Sequence, residues 1–193
     1  MEQIRSFIAI ELPEEVKSGL KKVQEGLKSA HPTCARWVDP YSIHLTLKFL
    51  GNTTTAKIAA ITQSMSEAAQ TVSPFHLEVK GPGAFPNLKR VQVIWIGLSG
   101  DLDKLQALQK NIEAKVSPLG FPPENRLFTP HLTLARLRET ATPLERQEMG
   151  DIIINTKIES DLLIQVNTIH LIKSQLTRGG AIYTRLCSVE LKA

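Results

Sequence analysis

One tetrapeptide occurs twice in this chain and limits the folds that the chain can adopt. His-Leu-Thr-Leu stands at 44–47 and again at 131–134, and each copy lies in a segment that alternates apolar and polar residues. Alternation with a period of two indicates a β-strand with one buried face. We therefore interpret residues 1–193 as a single two-lobed domain with a pseudo-two-fold internal duplication.

The strand period assigns each residue of the repeat to a face. His44 and Thr46 share one face of their strand, and His131 and Thr133 share one face of theirs. The leucines lie on the opposite faces and belong to the core. If a pseudo-two-fold axis relates the lobes, the two His/Thr pairs face each other across one cleft.

Strand and helix patterns alternate along the rest of the chain, and several strand pairs are joined by short connections. This mixture favours an α+β fold with antiparallel sheets over a doubly wound parallel sheet. We predict strands at 6–12, 42–51, 75–81, 91–98 and 131–137, a closing hairpin of 162–176 and 181–191 around Arg178-Gly179-Gly180, and helices within 13–27, 53–72, 101–116 and 142–154.

Composition restricts the class of protein. The fractions of 42% hydrophobic and 22% charged residues exclude a disordered, collagen-like or coiled-coil chain. The net charge of +4 suits a cleft that binds one phosphate and a few nucleotides, and is too small for an extended nucleic-acid track. Without a secretory signal pattern or a long apolar run, we expect a cytoplasmic protein. Cys34 and Cys187 have no C-x-x-C spacing and are expected to be reduced thiols.

Two imidazoles across a cleft have the chemistry that phosphodiester hydrolysis requires. One neutral histidine takes a proton from the attacking oxygen, and one charged histidine gives a proton to the leaving oxygen. The threonine hydroxyls would bind the non-bridging oxygens of the phosphate. No metal and no cofactor are expected, because the motifs lack the carboxylates and the third histidine of a metal site.

The other histidines and the tryptophans receive a structural interpretation. His31, His76 and His170 stand outside the repeat, and a lone histidine is most often a packed residue with a satisfied hydrogen bond. Trp37 and Trp95 are interpreted as core or cleft-wall residues.

The repeat and its flanks resemble the 2H phosphoesterase superfamily, and within it the LigT-like branch of RNA 2′,3′-cyclic phosphodiesterases, also described as 2′-5′ RNA ligases. The segments that carry the resemblance follow in the same order over nearly the whole chain: RSFIAIELPEEV, RWVDPYSIHLTLKFLG, PGAFPNLKRVQVIWIGL, FTPHLTLARL and SQLTRGGAIYTRL. The resemblance implies a two-lobed α+β fold, each lobe an antiparallel sheet backed by helices, with the motifs lining the central cleft.

The resemblance also implies an activity and roles for the motif residues. It implies metal-independent opening of RNA 2′,3′-cyclic phosphate ends to 2′-phosphomonoesters, with ligation of tRNA halves as a secondary, reverse reaction. It makes His44 the proton donor and His131 the proton acceptor, with Thr46 and Thr133 holding the phosphate.

Two further positions are implied as substrate contacts. The resemblance points to the residue five positions after each motif histidine, here Phe49 and Arg136. Strict alternation puts both side chains on the face opposite their histidine. They can contribute only if each strand bulges or ends before them.

The predicted partners are RNA ends or nucleotides with a 2′,3′-cyclic phosphate, including tRNA halves, and we expect a monomer that does not bind membranes. Two alternatives stay open. One is a sister 2H enzyme acting on a small cyclic nucleotide, such as ADP-ribose 1″,2″-cyclic phosphate, or on 2′-5′ oligoadenylate. The other is a non-catalytic module that binds RNA ends, against which the intact His and Thr of both motifs argue.

Overall fold

The computed structural model describes residues 2–30, 34–158, 162–177 and 180–192. His31 and the Arg178-Gly179 part of the predicted hairpin turn lie outside these ranges. The helices are α1 (Glu14–Ala30), α2 (Ile58–Ala69), α3 (Leu102–Val116) and α4 (Pro143–Asn155). The strands are β1 (Gln3–Glu11), β2 (Ala35–Trp37), β3 (His44–Thr54), β4 (Phe75–Phe85), β5 (Val93–Gly100), β6 (His131–Leu137), β7 (Leu163–Val166), β8 (Thr168–Thr177) and β9 (Gly180–Glu190).

These strands form one sheet in the order β7-β4-β5-β6-β3-β1-β8-β9, with β2 paired to β6, and every pairing is antiparallel. We call β3, β1, β8 and β9 lobe 1, and β6, β5, β4 and β7 with β2 lobe 2. The predicted α+β class with two similar lobes is confirmed, but the lobes share a sheet that is continuous across the β3–β6 seam. Only Asn167 separates β7 from β8, which lie far apart in the strand order, so the sheet must curl.

The helices cover the sheet face that carries the leucines of the repeat. α2 packs on α3 behind lobe 1, and α1 contacts α4 behind lobe 2. α1 follows Pro13 and places Glu14 and Glu15 at its positive end, where acidic side chains stabilise a helix. Its buried stripe includes Val16, Leu20 and Leu27. Of the described helices, none is long and apolar enough to span a membrane.

Several predicted boundaries differ from those in the structure. β3 continues to Thr54 instead of ending at Gly51, because its β-branched threonines extend the pairing with β1. α2 is correspondingly shorter than the predicted helix 53–72. β4 extends to Phe85 and not to Gly81, and the predicted strand 162–176 is in fact two strands on different neighbours.

Candidate active site

The two copies of the tetrapeptide meet at the seam between the lobes. Leu45 of β3 pairs directly with Leu132 of β6, and both leucines are fully buried on the helix side of the sheet. The histidines and threonines of the repeat therefore lie on the opposite side, which we call the cleft face. This confirms the faces predicted from the strand period.

The four polar side chains of the repeat form one cluster on the cleft face. Continuing the leucine register by one residue in each direction sets His44 beside Thr133 and Thr46 beside His131. The two histidines are then diagonal neighbours, which in an antiparallel pair lie roughly 7–8 Å apart. All four side chains are half-buried. The two predicted His/Thr pairs are thus brought together across a single strand–strand boundary.

Each histidine is held by the same hydrogen bond. Nδ1 of His44 lies 2.9 Å from the carbonyl oxygen of Ser42, and Nδ1 of His131 lies 2.7 Å from that of Thr129. A carbonyl oxygen only accepts, so Nδ1 donates in both rings. In the neutral ring, Nε2 is then the unprotonated nitrogen. Both rings are therefore fixed in the tautomer that leaves Nε2 for proton transfer.

A bulge in each motif strand changes which face the later residues occupy. The β1–β3 register shifts at Leu47, and the β5–β6 register shifts at Leu134, the same position of the repeat. Beyond each bulge the alternation is reversed, so Phe49 and Arg136 are exposed on the cleft face. The strict alternation that placed them opposite their histidines is wrong, and the bulge that their role required is present in both strands.

The second bulge is anchored from behind by α1. The buried Gln24 side chain donates through Nε2 to the carbonyl oxygens of Leu134, at 3.0 Å, and of Val38, at 2.8 Å. The backbone N–H of Val38 also donates to the Leu134 carbonyl, at 2.9 Å. These bonds satisfy a carbonyl that the bulge removes from the regular ladder. They fix the backbone geometry that turns Arg136 to the cleft face.

Lys48 ties the first motif strand to the segment that precedes the second motif. It directly follows the bulge at Leu47 and points to the helix side, where its side chain is 2% exposed. Its Nζ donates to Oε2 of Glu113 on α3 at 2.7 Å and to the carbonyl of Pro122 at 2.7 Å. Pro122 lies in the connection that leads to His131. One buried ammonium group therefore links β3, α3 and the approach to the second histidine.

Aromatic rings surround His44. The ring of Phe7 is stacked on the imidazole with centroids 4.5 Å apart, and Tyr183 meets it edge-on at 5.1 Å. Phe7 and Tyr183 also pack with Ala9 and Ile172 in a small apolar cluster separate from the main core. This burial lowers the pKa of His44, while the Ser42 carbonyl raises it.

His131 has an aromatic wall of its own. Phe85 meets its ring edge-on at 4.9 Å, and Trp95 lies at 6.3 Å. The indole of Trp95 crosses Gly83 so closely that a Cβ there would lie 2.4 Å from the ring. Burial lowers the pKa of His131, and the Thr129 carbonyl opposes that shift. Trp95 is a cleft-wall residue, as its sequence interpretation allowed.

The two histidines differ in the charges beside them. Glu11 of β1 pairs with His44, and Gly97 of β5 occupies the equivalent position opposite His131. Burial lowers the pKa of both histidines; the carboxylate of Glu11 partly offsets that shift at His44, whereas the guanidinium of Arg136 adds to it at His131. The two near-identical motifs thus have a neighbouring charge of opposite sign: negative near His44 and positive near His131.

Glu11 belongs to a small polar network at the edge of the cleft face. Its carboxylate forms a two-point ion pair with Arg185 of β9. The pKa of Glu11 is lowered: burial acts to raise it, and this is outweighed by the bond to Arg185 and the charge of His170. His170 is buried and its Nδ1 contacts the Ser188 hydroxyl at 3.0 Å, in line with the structural role predicted for it. His76, by contrast, is exposed on β4.

Sequence reasoning missed three neighbours of His44: Phe7, Tyr183 and Glu11. Each comes from a strand far away along the chain, and no local pattern states which strands pair. A signal for Glu11 was nevertheless present in the sequence, because this acidic residue ends an otherwise apolar strand segment.

Comparison with known sequences agrees with this geometry. A family model described as LigT like Phosphoesterase matches the chain twice, over residues 10–95 and 96–183, so that each match contains one motif. A protein of Methanothermobacter thermautotrophicus named RNA 2′,3′-cyclic phosphodiesterase is 30% identical over 182 residues, which are 94% of this chain and 96% of that protein. A protein of the same name from Aquifex aeolicus is 29% identical over 185 residues, 95% of each chain.

Solved structures share the whole fold. The protein TT0787 of Thermus thermophilus superposes with a TM-score of 0.77 at 26% identity, covering 98% of this chain and 99% of that one. E. coli LigT in its apo form gives a TM-score of 0.75 at 26% identity over 100% of both chains. The same E. coli protein was also solved in complex with 3′-AMP, with a TM-score of 0.76.

Proposed function

The chain belongs to the family of LigT-like phosphoesterases, and from that premise we propose that it hydrolyses RNA 2′,3′-cyclic phosphate ends to 2′-phosphomonoesters. One observation carries the proposal above the others. Two histidines, each fixed through Nδ1 by a backbone carbonyl, lie diagonally across one strand boundary with a threonine beside each. The relatives named RNA 2′,3′-cyclic phosphodiesterase and the E. coli LigT complex with 3′-AMP support a nucleotide substrate.

The reaction follows from these positions. Nε2 of His131 takes a proton from a water molecule as its oxygen attacks phosphorus. The bond from phosphorus to the 3′ oxygen breaks, and Nε2 of His44 gives its proton to that oxygen. The products are a 2′-phosphomonoester and a free 3′ hydroxyl group, and the two histidines then exchange protons with solvent. Thr46 and Thr133 donate to the non-bridging oxygens, where charge accumulates in the transition state.

The surrounding charges support this division of roles. A general acid must carry a proton before the reaction, and the carboxylate of Glu11 favours the protonated form of His44. A general base must be neutral, and the guanidinium of Arg136 favours the neutral form of His131. Burial lowers the pKa of both rings, and these charges offset part of that fall at His44 and add to it at His131. We assign His44 as the proton donor and His131 as the proton acceptor on this asymmetry.

The finer features of the function are part of the same proposal. Exposed on the cleft face, Phe49 offers a ring surface for a base, and Arg136 offers a cation for a phosphate of the substrate. One chain supplies both histidines, so residues 1–193 act as one two-lobed domain and the enzyme works as a monomer. The thiols of Cys34 and Cys187, which form no disulfide within the described residues, suit the reducing cytoplasm, where RNA is processed. Ligation of RNA halves such as those of tRNA would use the same chemistry with the 5′ hydroxyl of a second RNA in place of water: its oxygen bonds to phosphorus, its proton passes to His131, and the 3′ oxygen leaves with a proton from His44.

The test is turnover of a 2′,3′-cyclic mononucleotide, with the product identified by phosphorus NMR. His44→Ala and His131→Ala should each lower kcat by about 10²–10⁴-fold, the range for a lost general acid or base. His76→Ala removes an exposed histidine of lobe 2 and should leave kcat unchanged, as should a chelator. Full activity in both single variants, or a 3′-phosphate product, would contradict the proposal. Tight binding of a 2′-phosphonucleotide without any turnover would favour the binding module instead.

A further inference from the structure

Two arginines lie side by side at the end of β6. In the β2–β6 ladder Arg36 is directly opposite Arg136, and directly opposed residues of an antiparallel pair project from the same face. Like charges in that position destabilise a sheet. Both side chains are exposed, and within the described ranges no carboxylate lies at ion-pair distance from either. The fold therefore holds two adjacent guanidinium groups that the described carboxylates do not neutralise.

This arginine pair belongs to the cleft face. Ala35 and Trp37 flank Arg36 along β2; Ala35 is buried in the core, and the Trp37 ring is covered from α1 by the Lys28 ammonium at 5.3 Å. Alternation then puts Arg36 on the other side of the sheet, the side to which the bulge turns Arg136. The pair thus extends the surface that carries the two histidines.

The distance between this pair and the histidines fits a neighbouring group of a longer substrate. β2 and β3 lie along the same edge of β6, where Arg36 is opposite Arg136 and the continued register sets His44 opposite Thr133. Arg136 is the third residue after Thr133 in β6, a span of about 10 Å. An arginine side chain at that distance reaches towards His44 but is too far along the edge to replace the motif threonines at the reacting phosphate.

We propose that Arg36, beside Arg136, binds the phosphodiester that precedes the terminal cyclic phosphate of an RNA chain, and so makes the enzyme favour oligonucleotide ends over cyclic mononucleotides. The inference rests on the proposed function and deepens it by naming the substrate class. The planar guanidinium fork matches two phosphate oxygens, and an anion between the arginines relieves their mutual repulsion. A cyclic mononucleotide has no such phosphodiester and leaves Arg36 without a ligand.

The test compares Arg36→Gln with the wild-type enzyme on three substrates: a cyclic mononucleotide, a dinucleotide ending in a cyclic phosphate, and the same dinucleotide with a neutral methylphosphonate linkage. For the natural dinucleotide, the variant should raise KM about 5- to 10-fold with kcat unchanged. Its slope of log(kcat/KM) against log(salt) should flatten by about 0.7, the loss of one phosphate contact on a single strand. For the mononucleotide and the methylphosphonate, variant and wild type should agree.

Two control variants distinguish the loss of a specific phosphate contact from a general loss of positive charge and from a folding defect. Lys22→Gln removes one exposed positive charge from α1 and should change nothing, while Arg36→Lys should recover part of the dinucleotide affinity. Equal kinetics of Arg36→Gln and wild type on the natural dinucleotide would overturn the inference, as would an equal loss on all three substrates. If the wild type turns over none of them, the proposed function fails. In that case, calorimetry of dinucleotide 2′-phosphate binding to the wild type and to Arg36→Gln tests the role of Arg36 independently of turnover.

Discussion

Replacing Lys48 by methionine tests whether the buried ammonium group holds the two halves of the site together. Methionine keeps much of the length and the apolar contacts of the side chain but removes both hydrogen bonds of Nζ. Glu113 is then left with a side chain that is 13% exposed and with the Gln109 amide, 3.2 Å away, as its remaining described donor. Leaving one member of a buried ion pair without its partner costs about 3–5 kcal/mol.

That cost is large for a protein of this size. At about 2–4 °C per kcal/mol, Tm should fall by roughly 6–20 °C, and the midpoint of urea unfolding followed by circular dichroism should fall in parallel. Lys48→Met combined with Glu113→Leu removes both charges and should recover most of the loss. The exposed pair of Lys115 and Glu67, 2.8 Å apart, is the matched control, and Lys115→Met should leave the midpoint unchanged. A loss below about 1 kcal/mol for Lys48→Met, or a double variant no more stable than the single one, would refute this reasoning.

Two more predictions concern the surroundings of the histidines. Burial lowers the pKa of His44, and Glu11→Gln removes the charge that offsets part of this shift, so the pKa should fall further. The acid then loses its proton at lower pH, and the alkaline limb of the pH profile of kcat/KM should move to lower pH while the acidic limb stays. An unmoved alkaline limb would contradict the assigned role. Gly83→Ala forces the indole of Trp95 to move and should alter tryptophan fluorescence and lower kcat, whereas Gly81→Ala, whose Cβ meets nothing within 4 Å, should be silent.

The placement of the motif residues was predictable because it depends on one local property. A strand has a period of two, so the buried leucines determine where His44 and His131 point. The same rule fails two residues after the motif threonines. A bulge inserts one residue into the strand, and the pattern of apolar and polar residues in the sequence does not reveal it. Lys48 is charged but buried, because its hydrogen-bond partners come from elsewhere in the chain.

Pairing partners were not predictable from the sequence in the same way. β2 has three residues, too few for a pattern, yet it positions Arg36 opposite Arg136. Asn167 is the single residue over which the chain passes from one end of the strand order to nearly the other. Such contacts depend on how the sheet curls, which is a property of the whole core and not of any short segment.

The unequal positions opposite the two histidines have a consequence for how such a site is encoded. A symmetric homodimer of one lobe would be forced to present two imidazoles of identical acidity, since every substitution would appear twice. Because one polypeptide contains both motifs, the residues opposite the two imidazoles can differ, with Glu11 opposite His44 and Gly97 opposite His131. Placing both lobes in one chain thus allows two otherwise equivalent imidazoles to differ in acidity, which exact symmetry forbids.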